Sequence, residues 1–251
     1  MKLSDRCYAV TGLGYSAPWS VNSGLIVGDD ITLVVDTGAC ALSGATVHGY
    51  ASAIRPGNAL RVINTEKHFD HIGGNCVFRA HGVPIAGHLR LRRTAEEFAA
   101  ERAEFKGAIS NAARRARGEQ DVFFAGTTLT MPDLPLEREL EWDLGGCVAR
   151  VLFTPGHTET NISVWAPGDG VLYTGDCLIN GYLPNLDAVG QQDWAVWLKS
   201  LDRLEALRPA IVVCGHGPVA MGEDVGRILR EVRAVLFAAI EQGRSPTASN
   251  E

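Results

Sequence analysis

The chain has 251 residues, 46% of them hydrophobic, with six cysteines and a formal net charge of −6. That length and apolar fraction suffice for one sizeable core, and the acidic balance gives no electrostatic case for a nucleic-acid partner, which a basic face would serve. Residues 1–7 hold no apolar leader, no apolar run is long enough to span a bilayer, and Cys7, Cys40, Cys76, Cys147, Cys177 and Cys214 form no C-x-x-C pair; the expectation is a cytoplasmic protein with reduced thiols that acts on a small molecule, away from membranes.

Strand-like apolar runs fall near 7–11, 24–28 and 31–36, then a small-residue helix over 44–54 and a strand over 60–65. Residues 89–118 are charge-rich and place Phe98, Phe105, Ile109, Ala112 and Ala116 on one helical face. Arg92, Arg93, Arg102, Arg114, Arg115 and Arg117 fall mostly elsewhere and read as a solvated face. Residues 119–146, with Pro132 and Pro135, read as a connecting loop with one hairpin. The second half has strands over 147–154, 161–166 and 170–175, then a helix capped by Asp193 whose apolar face is Trp194, Trp197, Leu198, Leu201 and Leu204. A strand over 211–214 precedes a terminal helix that turns Val225, Ile228, Leu229, Val232, Val235, Leu236 and Ile240 inward. Residues 1–242 thus read as one domain and 243–251 as a disordered polar tail. This alternation suggests two sheets packed face to face, with helices outside.

Chemistry gathers where strands end. The run Leu60-Arg61-Val62-Ile63 leads into Asn64-Thr65-Glu66-Lys67-His68-Phe69-Asp70-His71 and then Ile72-Gly73-Gly74. Four side chains able to bind a metal lie within six positions, on the loop leaving a strand. Three later strand ends repeat the arrangement: Thr154-Pro155-Gly156-His157-Thr158, Thr174-Gly175-Asp176 and Cys214-Gly215-His216-Gly217-Pro218. Glycine permits the tight turns and close backbone approaches that such loops need. One buried histidine is ordinary core; the same pattern at four strand ends is not.

These strings resemble the metallo-β-lactamase fold superfamily, whose pattern is H-x-H-x-D-H, then His in P-G-H-T, Asp in T-G-D and His in G-H-G. Val34-Val35-Asp36-Thr37-Gly38 matches its early strand ending in D-T-G. The resemblance runs in order from about residue 6 to about residue 220 and implies a four-layer αβ/βα sandwich with two mixed sheets. It further implies two divalent metal ions, zinc first and iron or manganese as alternatives. Site one would use Glu66, His68 and His157; site two would use Asp70, His71 and His216; Asp176 would bridge them, and Asp36 would brace the motif loop from behind. Cys177, beside Asp176, would either line the site or fill the core.

Glu66 departs from the pattern, which has His there. The substitution lowers the charge of the centre by one unit, which weakens the acidification of bound water and favours a harder ion. Glu66 either binds the metal or turns away and leaves site one poorly filled.

The function implied is hydrolysis, in which a metal-bound hydroxide attacks the carbonyl of an ester, lactone, thioester or lactam, with Asp70 orienting the hydroxide and relaying a proton. The alternative is a non-haem di-iron oxidoreductase or oxygen sensor on the same fold. A nuclease is disfavoured by the charge and by the lack of an added RNA-binding segment. For the substrate, Tyr15 and Trp19 would form an apolar wall over the metals, and Asn180, Tyr182 and Asn185 would orient a carbonyl or carboxylate. The carboxylate-anchoring Lys of some β-lactamases is absent, since Ile179 and Asn180 stand near that position.

Overall fold

The computed structural model describes residues 1–13, 20–107, 117–186 and 191–246. The first sheet contains β1 (Cys7–Val10), β2 (Ser23–Val27), β3 (Ile31–Val35), β4 (Ala59–Ile63), β5 (Ile85–His88) and β6 (Leu134–Leu136), in that spatial order. Its first three strands form an antiparallel meander, and β3 to β6 run parallel. The second sheet contains β7 (Leu140–Asp143), β8 (Val148–Phe153), β9 (Ile162–Ala166), β10 (Val171–Ile179), β11 (Ile211–His216) and β12 (Ala220–Met221). Among the described residues, β10 and β11 pair in parallel there and the other pairs are antiparallel.

Side chains alternate between two destinations, so each central strand is apolar on both faces. Ile26, Leu33, Val35, Ile63 and Ala86 face inward and meet Val151, Ile162, Val164, Val171, Tyr173 and Val213 of the other sheet. Their neighbours Leu25, Val34, Val62 and Ile85 face outward onto α1 (Ala41–Ile54) and α3 (Asn75–Ala80), packing with Val47, Ala51 and Phe78. On the far side Leu172, Val212 and Cys214 pack under α6 (Gln191–Ala206) and α7 (Glu223–Gln242). Each such aliphatic side chain contributes about 1.5–3 kcal/mol when fully buried. The Tyr173 hydroxyl lies 3.1 Å from the carbonyls of both Tyr8 and Leu25, so one phenol ties the sheets together. These layers are the expected αβ/βα sandwich.

Several local expectations are corrected. Among the described residues the helix expected over 89–118 begins only at Ala95, as α4 (Ala95–Gly107), opened by Thr94, whose hydroxyl accepts from Glu97 N. Ile109, Ala112, Ala116, Arg114 and Arg115 lie outside the described residues. Arg93 and Arg102 are half-buried rather than free on a solvated face: Arg93 pairs with Glu101, and Arg102 donates to Thr127 O. The segment expected as one hairpin holds a short α5 (Glu119–Phe123) and two strands that join different sheets, β6 beside β5 and β7 beside β8. Pro135 is tolerated because β6 is an edge strand. Asp193 sits inside the first turn of α6, not at its cap, and Ile240 is exposed on α7. Of the expected tail, Gly243 closes α7 in a left-handed conformation, and 247–251 lie outside the described residues.

Candidate metal centre

The parallel strands point their C-terminal ends at one edge of the sandwich, and the polar residues collect there. After β4 the chain passes Thr65, Glu66 and His68 and enters a single helical turn, α2 (Phe69–Ile72), which carries Asp70 and His71. This part was expected as loop. His157 follows β8, and His216 ends β11. Asp176 lies inside β10, which runs on through the T-G-D string to Ile179. The register of β10 against β11 shifts at Gly175, so Asp176 leaves the regular ladder. Glycine is required at Gly215, because a Cβ there would overlap Asp176 Oδ1. It is required at Gly175 too, where φ is +50° and a Cβ would overlap Thr65 Oγ1.

The structure brings all seven candidate residues together. Glu66 Oε1, His68 Nδ1 and His157 Nε2 are separated by 3.0, 3.1 and 3.4 Å. A tetrahedral ion with bonds of about 2.0–2.1 Å sets neighbouring ligand atoms about 3.3–3.4 Å apart, so this trio has the spacing of atoms sharing one ion. In a second trio, Asp70 Oδ2 lies 3.1 Å from His216 Nε2 and 4.0 Å from His71 Nε2. Asp176 reaches both: Oδ2 is 3.5 Å from His157 Nε2 and 3.3 Å from His216 Nε2, while Oδ1 is 3.2 Å from His71 Nε2. Glu66 is turned in, not away. It is fully buried, with Oε1 also 3.2 Å from His71 Nε2.

The cluster's electrostatics call for a cation. Burial pushes the His68 imidazole down, but Glu66, and then Glu101 and Asp70, outweigh it and raise the group to about 9. Burial likewise opposes the charged forms of His71 and His216, yet Asp176 and the other carboxylates raise both well above the ordinary histidine value. Glu66 and Asp176 stay well below the usual carboxylate range despite burial, held there by the histidines around them. Without an ion, protons supply the positive charge. Glu66 Oε2, His71 Nε2 and Asp176 Oδ1 are nonetheless buried without an aligned hydrogen-bond partner. Such atoms are costly to leave unsatisfied, and a divalent cation bound by imidazole and carboxylate would satisfy them.

A supporting shell fixes the ring directions. Asp36 Oδ2 lies 2.8 Å from His71 Nδ1, and Asp36 accepts from both the backbone N–H and the hydroxyl of Thr65, at 2.7 and 2.6 Å. His216 Nδ1 faces Ser20 O at 3.1 Å, and His157 packs edge-on against Trp197. Cys177 is buried in the core, where its thiol is pushed up to about 12 by burial. Sequence reasoning missed Thr65, Trp197 and the Arg93–Glu101 pair. The strand-end pattern could have flagged Thr65; nothing local marks Glu101, which lies 31 positions beyond Asp70.

The substrate candidates fare unevenly. Tyr15 and Trp19 lie outside the described residues. The Asn180 amide is engaged rather than open: Nδ2 donates to Pro218 O at 2.8 Å and Oδ1 accepts from Arg227 at 3.2 Å, tying the loop after β10 to α7. Tyr182 and Asn185 are exposed beyond it.

The sequence profile of the metallo-beta-lactamase superfamily matches residues 16–216. A Bacillus subtilis protein named "Probable metallo-hydrolase YqgX" is 25% identical over 205 residues, covering 80% of this chain and 87% of the relative. A hydroxyacylglutathione hydrolase of Methylococcus capsulatus is 29% identical over 159 residues, covering 62% of this chain and 47% of the relative. Among solved structures, a metallo-beta-lactamase family protein from Thermus thermophilus superposes with a TM-score of 0.70 at 24% identity, over 96% of this chain and 82% of the other.

Proposed function

The chain belongs to the metallo-beta-lactamase superfamily as a metallo-hydrolase, and on that premise we propose that it uses two divalent cations, zinc first, to hydrolyse a small ester, lactone or thioester. The observation that carries the two-ion reading is Asp176, whose carboxylate spans both trios of candidate ligands. Glu66, His68 and His157 would hold one ion, and Asp70, His71 and His216 the other. When bound, the cations supply Lewis-acid polarisation of the carbonyl and lower the pKa of water.

The chain's own residues do the rest. Asp70, facing His216 across 3.1 Å, is placed to hold the attacking water and take its proton. Asp36 keeps the proton of His71 on Nδ1, so that Nε2 faces the centre. Core side chains beneath the loops exclude bulk water and strengthen every charge interaction at the site. No protein nucleophile is needed. The hydroxyacylglutathione hydrolases among the relatives support an acyl thioester as one candidate. A cytoplasmic setting is supported by six cysteines that are all free thiols. No helix among the described residues is long and apolar enough to cross a membrane.

Glu66, turned into the centre, supports iron as the second reading, because it makes the site richer in carboxylate. Metal analysis of the purified protein separates the two: about two zinc per chain is the expected result, and iron with a visible absorption band would favour the redox alternative. A substrate panel completes the test. Ester, lactone or thioester cleavage is expected to exceed β-lactam cleavage in kcat/KM, and carbapenem turnover near about 10⁶ M⁻¹s⁻¹ would overturn that assignment.

A further inference from the structure

Residues 93–107 and 124 supply none of the candidate ligands, yet they grip the helical turn that carries two of them. Phe69, the first residue of α2, is fully buried in an aromatic cluster with Phe98 and Phe105 of α4 and with Phe124. The ring centroids lie 4.7, 5.3 and 5.7 Å from that of Phe69. His68 stands at the N-cap of α2 with an extended backbone, and its side chain makes no capping bond. The opening N–H of the turn, on Phe69, donates instead to Glu101 Oε2 at 3.0 Å, from the middle of α4. Arg93 grips the same carboxylate oxygen. The two side chains are only 11% and 16% exposed, so the carboxylate is withdrawn from water and held in one place.

A buried ion pair adds little net stability compared with apolar residues of the same volume. Its effect here is geometric. The carboxylate fixes the peptide between His68 and Phe69, and both the His68 ring and the Asp70 carboxylate swing from that point. We propose that Arg93 and Glu101 form a positioning pair that sets the direction of His68 and Asp70 toward the metal ions. The inference rests on the two-ion reading and adds residues that the ligand pattern does not contain.

Zinc affinity of the metal-stripped protein tests it, measured by competition with a chromophoric chelator well below the unfolding temperature. Glu101→Ala is expected to weaken zinc binding about ten- to a hundredfold, the usual loss when an outer partner of a ligand is removed. Glu101→Gln keeps an oxygen for the Phe69 N–H and is expected to bind more tightly than Glu101→Ala. Glu97→Ala serves as the control. Glu97 accepts from the Thr94 N–H at 2.8 Å and so caps the same helix, without touching Phe69; its loss should leave zinc affinity unchanged. If Glu101→Ala binds zinc as tightly as wild type, or Glu97→Ala loses as much, the positioning role is overturned while the metal reading stands. If the wild-type protein takes up no zinc, both fall.

Discussion

Asp36 holds His71 by a 2.8 Å contact from its Oδ2 to the ring's Nδ1, and does so from a left-handed backbone with φ of 60°. Asp is among the few residues besides glycine that tolerate that conformation. Placing it there aims the carboxylate at the back of the ring, and the opposite nitrogen then faces the other candidate ligands. Asn tolerates the same backbone and nearly the same volume but carries no charge. Asp36→Asn is therefore expected to keep the fold and lose about tenfold or more in affinity for one equivalent of metal. Calorimetric titration of the stripped protein should show one weakened site and one intact; two unchanged sites would refute the bracing role.

Asp176 lies against histidines of both trios, and Glu66 also reaches across to His71. On the proposed two-ion reading, Asp176→Asn would remove the anion between two cations and leave their mutual repulsion unscreened in a site of low polarity. Both ions should weaken together, and turnover should drop by orders of magnitude. Metal content by mass spectrometry and steady-state rates test this; loss of one ion alone would make Asp176 a ligand of a single site.

Glu66 contributes one negative charge where the superfamily pattern has a neutral imidazole. Glu66→His should shift the preference of the first trio away from manganese or ferrous iron and toward zinc, because imidazole is the softer ligand. Competition dialysis against a mixture of these ions gives the bound ratio before and after. An unchanged ratio would show that Glu66 does not tune the ion.

Burial, and next the charge of Asp169, push the Cys7 thiol up to about 12. An unfolded thiol gives up its proton near about pH 8.5. The folded state thus favours the protonated form, so the contribution is fully present below about pH 8.5 and is lost as pH rises toward the folded value. Stability should decline across that alkaline window, with Cys177 adding to the decline, since its thiol also lies at about 12. Cys7→Ala should make the decline shallower. Urea midpoints at several alkaline pH values measure the slope, and a slope equal to wild type would mean that Cys7 does not contribute.

What could be read from the sequence was set by how local each cause is. The central strands were legible because Ile26, Leu33, Val62 and Val213 and their neighbours are apolar on both faces, bounded by glycine and polar turns. The ligand candidates stood out because each lies just past an apolar, strand-like run in the sequence. β5 was missed: Ile85-Ala86-Gly87-His88 is too short and too small to announce a strand. β6 carries a proline that argues against a strand everywhere except at an edge. Asn180 looked open to a ligand because nothing in its own loop predicts Arg227, which arrives from a helix some fifty positions later. Glu101 was hidden for the same reason. Its role exists only once α4 lies across α2, and on its own helix it is one acidic residue among several.

The sources of the candidate ligands carry one more consequence. Glu66, His68, Asp70 and His71 hang from the first sheet, whereas His157, Asp176 and His216 hang from the second. Each trio draws on both, so an ion in either place would be a further cross-link between two halves already joined by side-chain packing and by hydrogen bonds such as those of Tyr173 and of the Ile162 N–H to Thr65 O. On the proposed two-ion reading, metal supply would then be a determinant of lifetime in the cell as well as of turnover. An ion present at about a hundred times its dissociation constant adds about 2.7 kcal/mol to the folded state, a large share of what a domain has to spare. Starved of metal, the sandwich would open along its own midplane more often and present the inner faces of both sheets to proteases.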